Sequence, residues 1–190
     1  MARIVGIAGS TRQGSYNGAL LQAAAQLAPP DTTVEIATIA GIPLFDADTE
    51  KEHGVPPIVT ELKDRIAAAA GLLLVTPEYN ASVPGALKNA VDWLSRPPKD
   101  IPRVFGDKPV ALLGATPGAG GTRLAQAAWL PVLRALGARV WSGRQLYVAG
   151  AAQILGPDGA IVDEKVRRLL AEFIAGFARF AAEPGSRGAA

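Results

Sequence analysis

The chain has 190 residues, 49% of them hydrophobic and 19% charged, with a formal net charge of +2. That length and balance fit one compact domain with a substantial core rather than a disordered chain. The sequence has no cysteine, which excludes a disulfide framework, a thiol nucleophile and every thiolate metal site.

Arg3–Ala8 reads as a first strand. The segment around it superficially resembles a short signal peptide, but its apolar stretch is too short and runs straight into a Gly/Ser/Arg loop. A helix is expected from Ser15 to Ala28, with Leu20, Leu21, Ala24 and Leu27 at helical spacing and Pro29-Pro30 as its stop. Thr33–Ile39 alternates β-branched residues with others and reads as the second strand. A long polar excursion, Gly41–Pro57, precedes a helix over Ile58–Ala70 that Gly71 ends. Leu72–Val75 is a short, wholly apolar third strand, of the kind buried on both faces of a parallel sheet. Pro84 opens a helix through Ser95, where its missing N–H costs little. Pro109–Gly114 is the fourth strand, Thr122–Leu136 a helix, and Ala138–Trp141 starts the fifth strand. The last helix, Asp163–Ala182, carries Val166, Leu169, Leu170, Phe173, Ile174 and Phe177 on one broad face, and Glu183–Ala190 is a frayed tail. Residues 1–182 thus form one α/β domain, a doubly wound, five-stranded parallel sheet of order 2-1-3-4-5 between two helical layers.

In such sheets ligands sit beyond the carboxyl ends of the strands where the order reverses, here between strands 1 and 3. The loop after strand 1 is Gly9-Ser10-Thr11-Arg12-Gln13-Gly14-Ser15-Tyr16-Asn17. Its glycines let backbone N–H groups turn inward, its hydroxyls and amides add donors, Arg12 adds charge, and a helix start follows; this suits a phosphate monoester. Gly9 and Gly14 have almost the spacing of a nucleoside-triphosphate loop, but Ser15 stands where that loop needs lysine. An ordinary strand-to-helix turn is the plain alternative. The loop after strand 3, Thr76-Pro77-Glu78-Tyr79-Asn80-Ala81-Ser82-Val83-Pro84-Gly85, is stiffened by prolines and offers an aromatic wall and amide hydrogen bonds to a flat ring. The alternative there is a stiff turn with Tyr79 packed on the domain. After strand 4, Ala115-Thr116-Pro117-Gly118-Ala119-Gly120-Gly121-Thr122 permits close backbone approach to a ligand, or is simply a mobile turn.

These stretches, with Ile42-Pro43-Leu44-Phe45-Asp46-Ala47-Asp48 and the run from Ser82 to Arg96, resemble the NADPH-dependent FMN reductase family, in its bacterial quinone and chromate reductase branch. The resemblance implies a flavodoxin-like fold and a tightly but non-covalently bound FMN. It implies that Ser10, Thr11, Arg12, Gln13, Gly14, Ser15, Tyr16 and Asn17 hold the FMN phosphate. Pro77, Glu78, Tyr79 and Asn80, with Ser82, would lie along the isoalloxazine, and Thr116, Pro117 and Gly118 would complete the site. It implies ping-pong chemistry: hydride passes from NAD(P)H to flavin N5, the oxidised nicotinamide leaves, and a quinone or related small acceptor takes its place. Chromate, azo compounds and free flavin are further family acceptors. No side chain is assigned as an acid or base.

Resemblance also implies a homodimer, to which the Pro84–Ser95 helix commonly contributes. Its Leu87, Val91 and Leu94 stripe fits that contact, and fits an intramolecular core face equally well. The Arg, Tyr and Glu that join dimers into tetramers in some members stand here as Arg123, Gln126 and Gln145, without the carboxylate. Two rival readings share the fold: a flavodoxin-type electron carrier, whose Ser/Thr-x-Thr-Gly-x-Thr loop is lacking here, and a non-enzymatic FMN-binding redox sensor. Asp46, Asp48, Glu50, Glu52 and His53 read as a solvated acidic loop rather than a metal site, since Lys51 stands where a calcium loop needs glycine. The basic residues are dispersed, without a nucleic-acid stripe, and no apolar run reaches the roughly 20 residues of a membrane span. The expected location is the cytoplasm.

Overall fold

A computed structural model describes residues 2–156 and 159–185. The strands are β1 (Ala2–Ala8), β2 (Thr32–Ala37), β3 (Gly71–Val75), β4 (Pro109–Ala115), β5 (Arg139–Val140) and β6 (Tyr147–Val148). The helices are α1 (Tyr16–Gln26), α2 (Ala47–His53), α3 (Pro57–Ala67), α4 (Gly85–Leu94), α5 (Ile101–Val104), α6 (Arg123–Ala135), α7 (Ala151–Ile154) and α8 (Glu164–Ala182). The strands pair in parallel in the order β2-β1-β3-β4-β5, as the sequence predicts. The expected fifth strand is split: β5 and β6 each pair with β4, with a detour between them. At the start of that detour Trp141 turns its ring onto Phe173 and Phe177 of α8, at centroid distances of 4.8 and 5.8 Å. Of the expected tail, 186–190 lie outside the described residues.

Strand alternation divides the core into two layers. Ile4, Leu73, Val75, Ala111 and Leu113 face α1 and α8. Val5, Ile7, Leu72, Leu74, Val110 and Leu112 face α3, α4, α5 and α6. Gly6 lets α1 come close to the sheet, because a Cβ there would lie 2.5 Å from Leu21 Cδ1. Leu87, Val91 and Leu94 are buried in the chain's own core with Trp93 and Trp129, so the α4 stripe is an intramolecular face.

The polar excursion holds a helix that apolar periodicity does not reveal, because α2 buries none of its residues. It exists through its ends. Asp46 Oδ1 accepts from the N–H groups of Asp48 and Thr49 at 2.7 and 3.2 Å, and Lys51 and His53 occupy the last turn. Side chains of α4 then pin the segment before it. Asn89 accepts from Phe45 N–H at 2.8 Å and donates to the Pro43 carbonyl at 2.8 Å, and Trp93 Nε1 donates to that carbonyl at 2.9 Å.

Beneath this face, the Lys63 side chain is only 3% exposed; its Nζ lies 2.6 Å from Asp100 Oδ2 and donates to the Arg96 carbonyl at 2.6 Å. The hydrogen bond from Lys63, with help from Arg103, holds the Asp100 carboxyl below the usual carboxylate range. A depressed carboxyl contributes stability above its unfolded pKa and loses it as pH falls through the folded value. Asp100→Asn is expected to cost about 3 kcal/mol at pH 7, the low end for breaking a buried pair because Asp100 keeps some solvent contact. The deficit should shrink in acid; urea midpoints across pH 3–7 measure it, and an unchanged midpoint at pH 7 would contradict this role.

Candidate functional site

At the carboxyl edge of the sheet, the loops after β1, β3 and β4 surround a cavity of about 300 Å³. Ser10, Arg12, Ser15, Tyr16 and Asn17 line it from the first loop, Pro77, Glu78 and Tyr79 from the second, and Ala115, Thr116 and Pro117 from the third. It adjoins a larger groove along α1, with which it shares Ser10, Arg12, Ser15 and Tyr16. The loops can meet because residue 9 is glycine: a Cβ there would lie 2.8 Å from Pro77 Cδ and 2.9 Å from Leu87 Cδ2.

The first loop is rich in unused donors. Ser15 caps α1 by accepting from Gly18 N–H at 3.3 Å, while the N–H groups of Tyr16 and Asn17 have no acceptor among the described residues. Arg12 Nη2 donates to the Gly14 carbonyl at 3.0 Å, and the guanidinium has no carboxylate partner among the described residues. Gly14, at φ +67°, takes the left-handed turn that brings the chain round into α1. Thr11 and Gln13 are exposed and do not line the smaller cavity.

The second and third loops are held rigidly. Thr76 is fully buried; its hydroxyl donates to the Pro77 carbonyl at 2.9 Å and accepts from Trp129 Nε1 at 3.1 Å. Glu78, expected along the ring, also spends its carboxylate on α6: Oε2 accepts from the N–H groups of Leu124 and Ala125 at 2.8 and 3.1 Å. It serves as the cap that Thr122, left-handed at φ 62°, does not supply. Tyr79 stays 53% exposed beside the cavity. Gln126 is 6% exposed and donates to Thr122 Oγ1 and the Leu146 carbonyl at 3.1 and 3.2 Å, so it belongs to this internal support, whereas Arg123 and Gln145 are exposed.

Asn80 and Ser82 do not line the cavity either; they belong to a tight turn in which Tyr79 and Ser82 exchange backbone hydrogen bonds of 3.2 and 3.0 Å. Asn80 and Ala81 take φ 51° and 59°, the left-handed pair that a two-residue turn of this hand requires. Gly118 borders the loop outside the cavity. Ala115, the first residue of the third loop, lines the cavity beside Thr116 and Pro117 although it was not among the expected site residues. Ala81→Gly is expected to raise stability by about 1 kcal/mol by relieving a left-handed alanine. Thermal unfolding reads this directly, and an unchanged or lowered midpoint would contradict it.

The model of the family "NADPH-dependent FMN reductase" matches residues 2–153, a span that contains all three loops. The chain is 42% identical over 168 residues to an NAD(P)H-dependent FMN reductase of Pseudomonas aeruginosa, covering 88% of this chain and 89% of that one. It is 38% identical over 172 residues to a 2-hydroxy-1,4-benzoquinone reductase of a Burkholderia species, covering 90% and 92%. Among solved structures, the flavoenzyme NAD(P)H:(acceptor) oxidoreductase FerB of Paracoccus denitrificans superposes with a TM-score of 0.86 at 32% identity, over 97% of this chain and all of that one. The flavodoxin-like sheet, the three loops on its carboxyl edge and these matches together make the chain a member of the NADPH-dependent FMN reductase family.

Proposed function

We propose that this protein is an FMN-dependent oxidoreductase that takes reducing equivalents from NAD(P)H and delivers them to quinones or similar small acceptors. The observation that carries this reading is the juxtaposition, around one cavity, of a donor-rich helix start and an exposed aromatic wall. The residues present fit the cofactor. A phosphate monoester needs N–H donors, hydroxyls and positive charge, which the α1 start, Ser10, Ser15 and Arg12 supply. A flat heteroaromatic ring needs a stiff wall, which Pro77, Tyr79, Thr116 and Pro117 supply. Bound FMN supplies the two-electron redox chemistry that no side chain here possesses.

The protein's own part is placement. Arg12 and the N–H groups of Tyr16 and Asn17 would anchor the phosphate end. The β3 loop, fixed through Thr76 and Glu78, would hold the ring at a set height above the sheet edge. In this reading a nicotinamide and then a quinone would occupy the same ring face in turn. The names of similar proteins support both halves of the reading, one as an NAD(P)H-dependent FMN reductase and one as a benzoquinone reductase. Acceptors beyond quinones, and assembly as a homodimer, are parts of the reading that rest on family likeness.

Arg12→Ala is expected to weaken FMN binding about 10- to 100-fold, the loss of one charged hydrogen-bonding partner, about 1.5–3 kcal/mol. Steady-state rates of the FMN-loaded wild type with NADPH and a benzoquinone should give parallel double-reciprocal lines. Intersecting lines, or an Arg12→Ala variant that binds FMN as tightly as the wild type, would count against the reading.

A further inference from the structure

Asn17 stands at the junction of the two halves of the site. Its backbone belongs to the first turn of α1, beside the donor-rich loop. Its side chain is turned away from that loop: Nδ2 donates to the Ala115 carbonyl at 3.0 Å, and Oδ1 accepts from Ala115 N–H at 2.9 Å, across a sequence separation of 98 residues. Asn17 is 4% exposed, and these two bonds occupy both ends of its carboxamide.

The strand ladder explains why β4 needs this partner. The β3–β4 pairing ends at Val75 and Leu113, and Thr76 N–H donates to the Leu113 carbonyl at 2.7 Å. In a parallel ladder the following rung would run from Ala115 N–H to the Thr76 carbonyl. That rung is replaced by the Asn17 side chain, whose planar amide stands in for a strand residue. On its other flank β4 keeps its backbone partner, with Ala115 paired to Val148 of β6. Immediately beyond Ala115 come Thr116 and Pro117, which line the ring side of the cavity.

We propose that Asn17 is a positioning residue: its side chain fixes the ring-side loop of β4 relative to the phosphate-side start of α1 and does not itself contact the phosphate, which is left to the backbone N–H groups. The proposal rests on the FMN reading above and makes a demand that direct phosphate contact does not. Removing the side chain should loosen the ring side, so affinity should fall for flavin with or without the phosphate.

The test uses FMN and riboflavin, which lacks the phosphate, titrated into flavin-free wild type, Asn17→Ala and Asn17→Asp by fluorescence quenching. Amide hydrogen exchange at Ala115 and thermal midpoints are recorded on the flavin-free proteins. Asn17→Ala should weaken FMN and riboflavin by the same factor, about tenfold, as expected for stranding a buried N–H and carbonyl. Ala115 should lose its exchange protection. Asn17→Asp preserves the volume and carries the test if the alanine variant does not fold. Its protonated acid can donate to the Ala115 carbonyl where its carboxylate cannot, so its flavin affinity should recover as pH falls. Loss of FMN affinity alone, with riboflavin unchanged, would overturn the proposal in favour of direct phosphate contact. A lower thermal midpoint with both flavin affinities unchanged would overturn it in favour of a purely structural role. A wild type that takes up neither flavin would defeat the FMN reading itself, while protection of Ala115 that depends on Asn17 would still report the bond.

Discussion

A parallel sheet runs out of hydrogen-bond partners at its carboxyl edge, and this molecule is organised by how those last backbone groups are satisfied. Buried N–H and carbonyl groups must be paired. Asn17 takes both groups of Ala115, the Thr116 N–H goes to the Val148 carbonyl at 2.9 Å, and the Thr116 carbonyl accepts from Ala151 N–H at 3.0 Å. The Thr76 hydroxyl covers the Pro77 carbonyl as the chain leaves β3. Each of these bonds also fixes the position of a loop. The crevice between β1 and β3, which the strand order creates, is thereby given stiff walls.

Electrostatics separates one helix start from several others. Helix α2 receives the Asp46 carboxylate, α8 receives that of Asp163, and α6 receives that of Glu78 from another loop. Helix α1 has no acidic residue in its first turn, a neutral serine cap, and Arg12 nearby without a carboxylate partner among the described residues. The partial positive charge of its N-terminus is therefore not neutralised by any carboxylate among the described residues, which is what the proposed phosphate site requires. Glu78 shows that the distribution matters: were its carboxylate aimed across the cavity, it would compete with a phosphate for the same donors. Committed to Leu124 and Ala125 N–H, it instead fixes the Pro77–Tyr79 side of the cavity to α6.

The parts of the fold legible in the sequence were those with local signals. The wholly apolar Leu72–Val75 run announced a central strand, and all of β3 is buried. The Gly9–Asn17 loop announced a strand-to-helix turn between β1 and α1, and the strand order followed from which loops carried unusual residues. Helix α2 was hidden because it has no buried face, although Asp46 and the charges at its two ends were a readable cap signal. The break between β5 and β6 depends on where Trp141 meets α8, a contact made across the fold. The roles of Asn17, Glu78 and Gln126 were hidden for the same reason. Residue type marked them as polar groups near the site, but their partners lie 98, 46–47 and up to 20 residues away. Likewise, the apolar stripe of α4 has the spacing of an interface and of a core face alike; only packing against Trp93 and Trp129 distinguishes them.

A crevice that binds FMN and turns it over between a pyridine nucleotide and a quinone reports on itself through the flavin's absorbance. An anaerobic absorbance titration of the FMN-loaded protein, first with NADPH or NADH and then with a benzoquinone, tests that turnover most directly. The flavin band should bleach with about one equivalent of reduced nucleotide and return with about one equivalent of quinone, as two-electron transfer requires. Flavin that binds but is never bleached by either nucleotide would contradict it, and would turn the same fold into a carrier or a sensor.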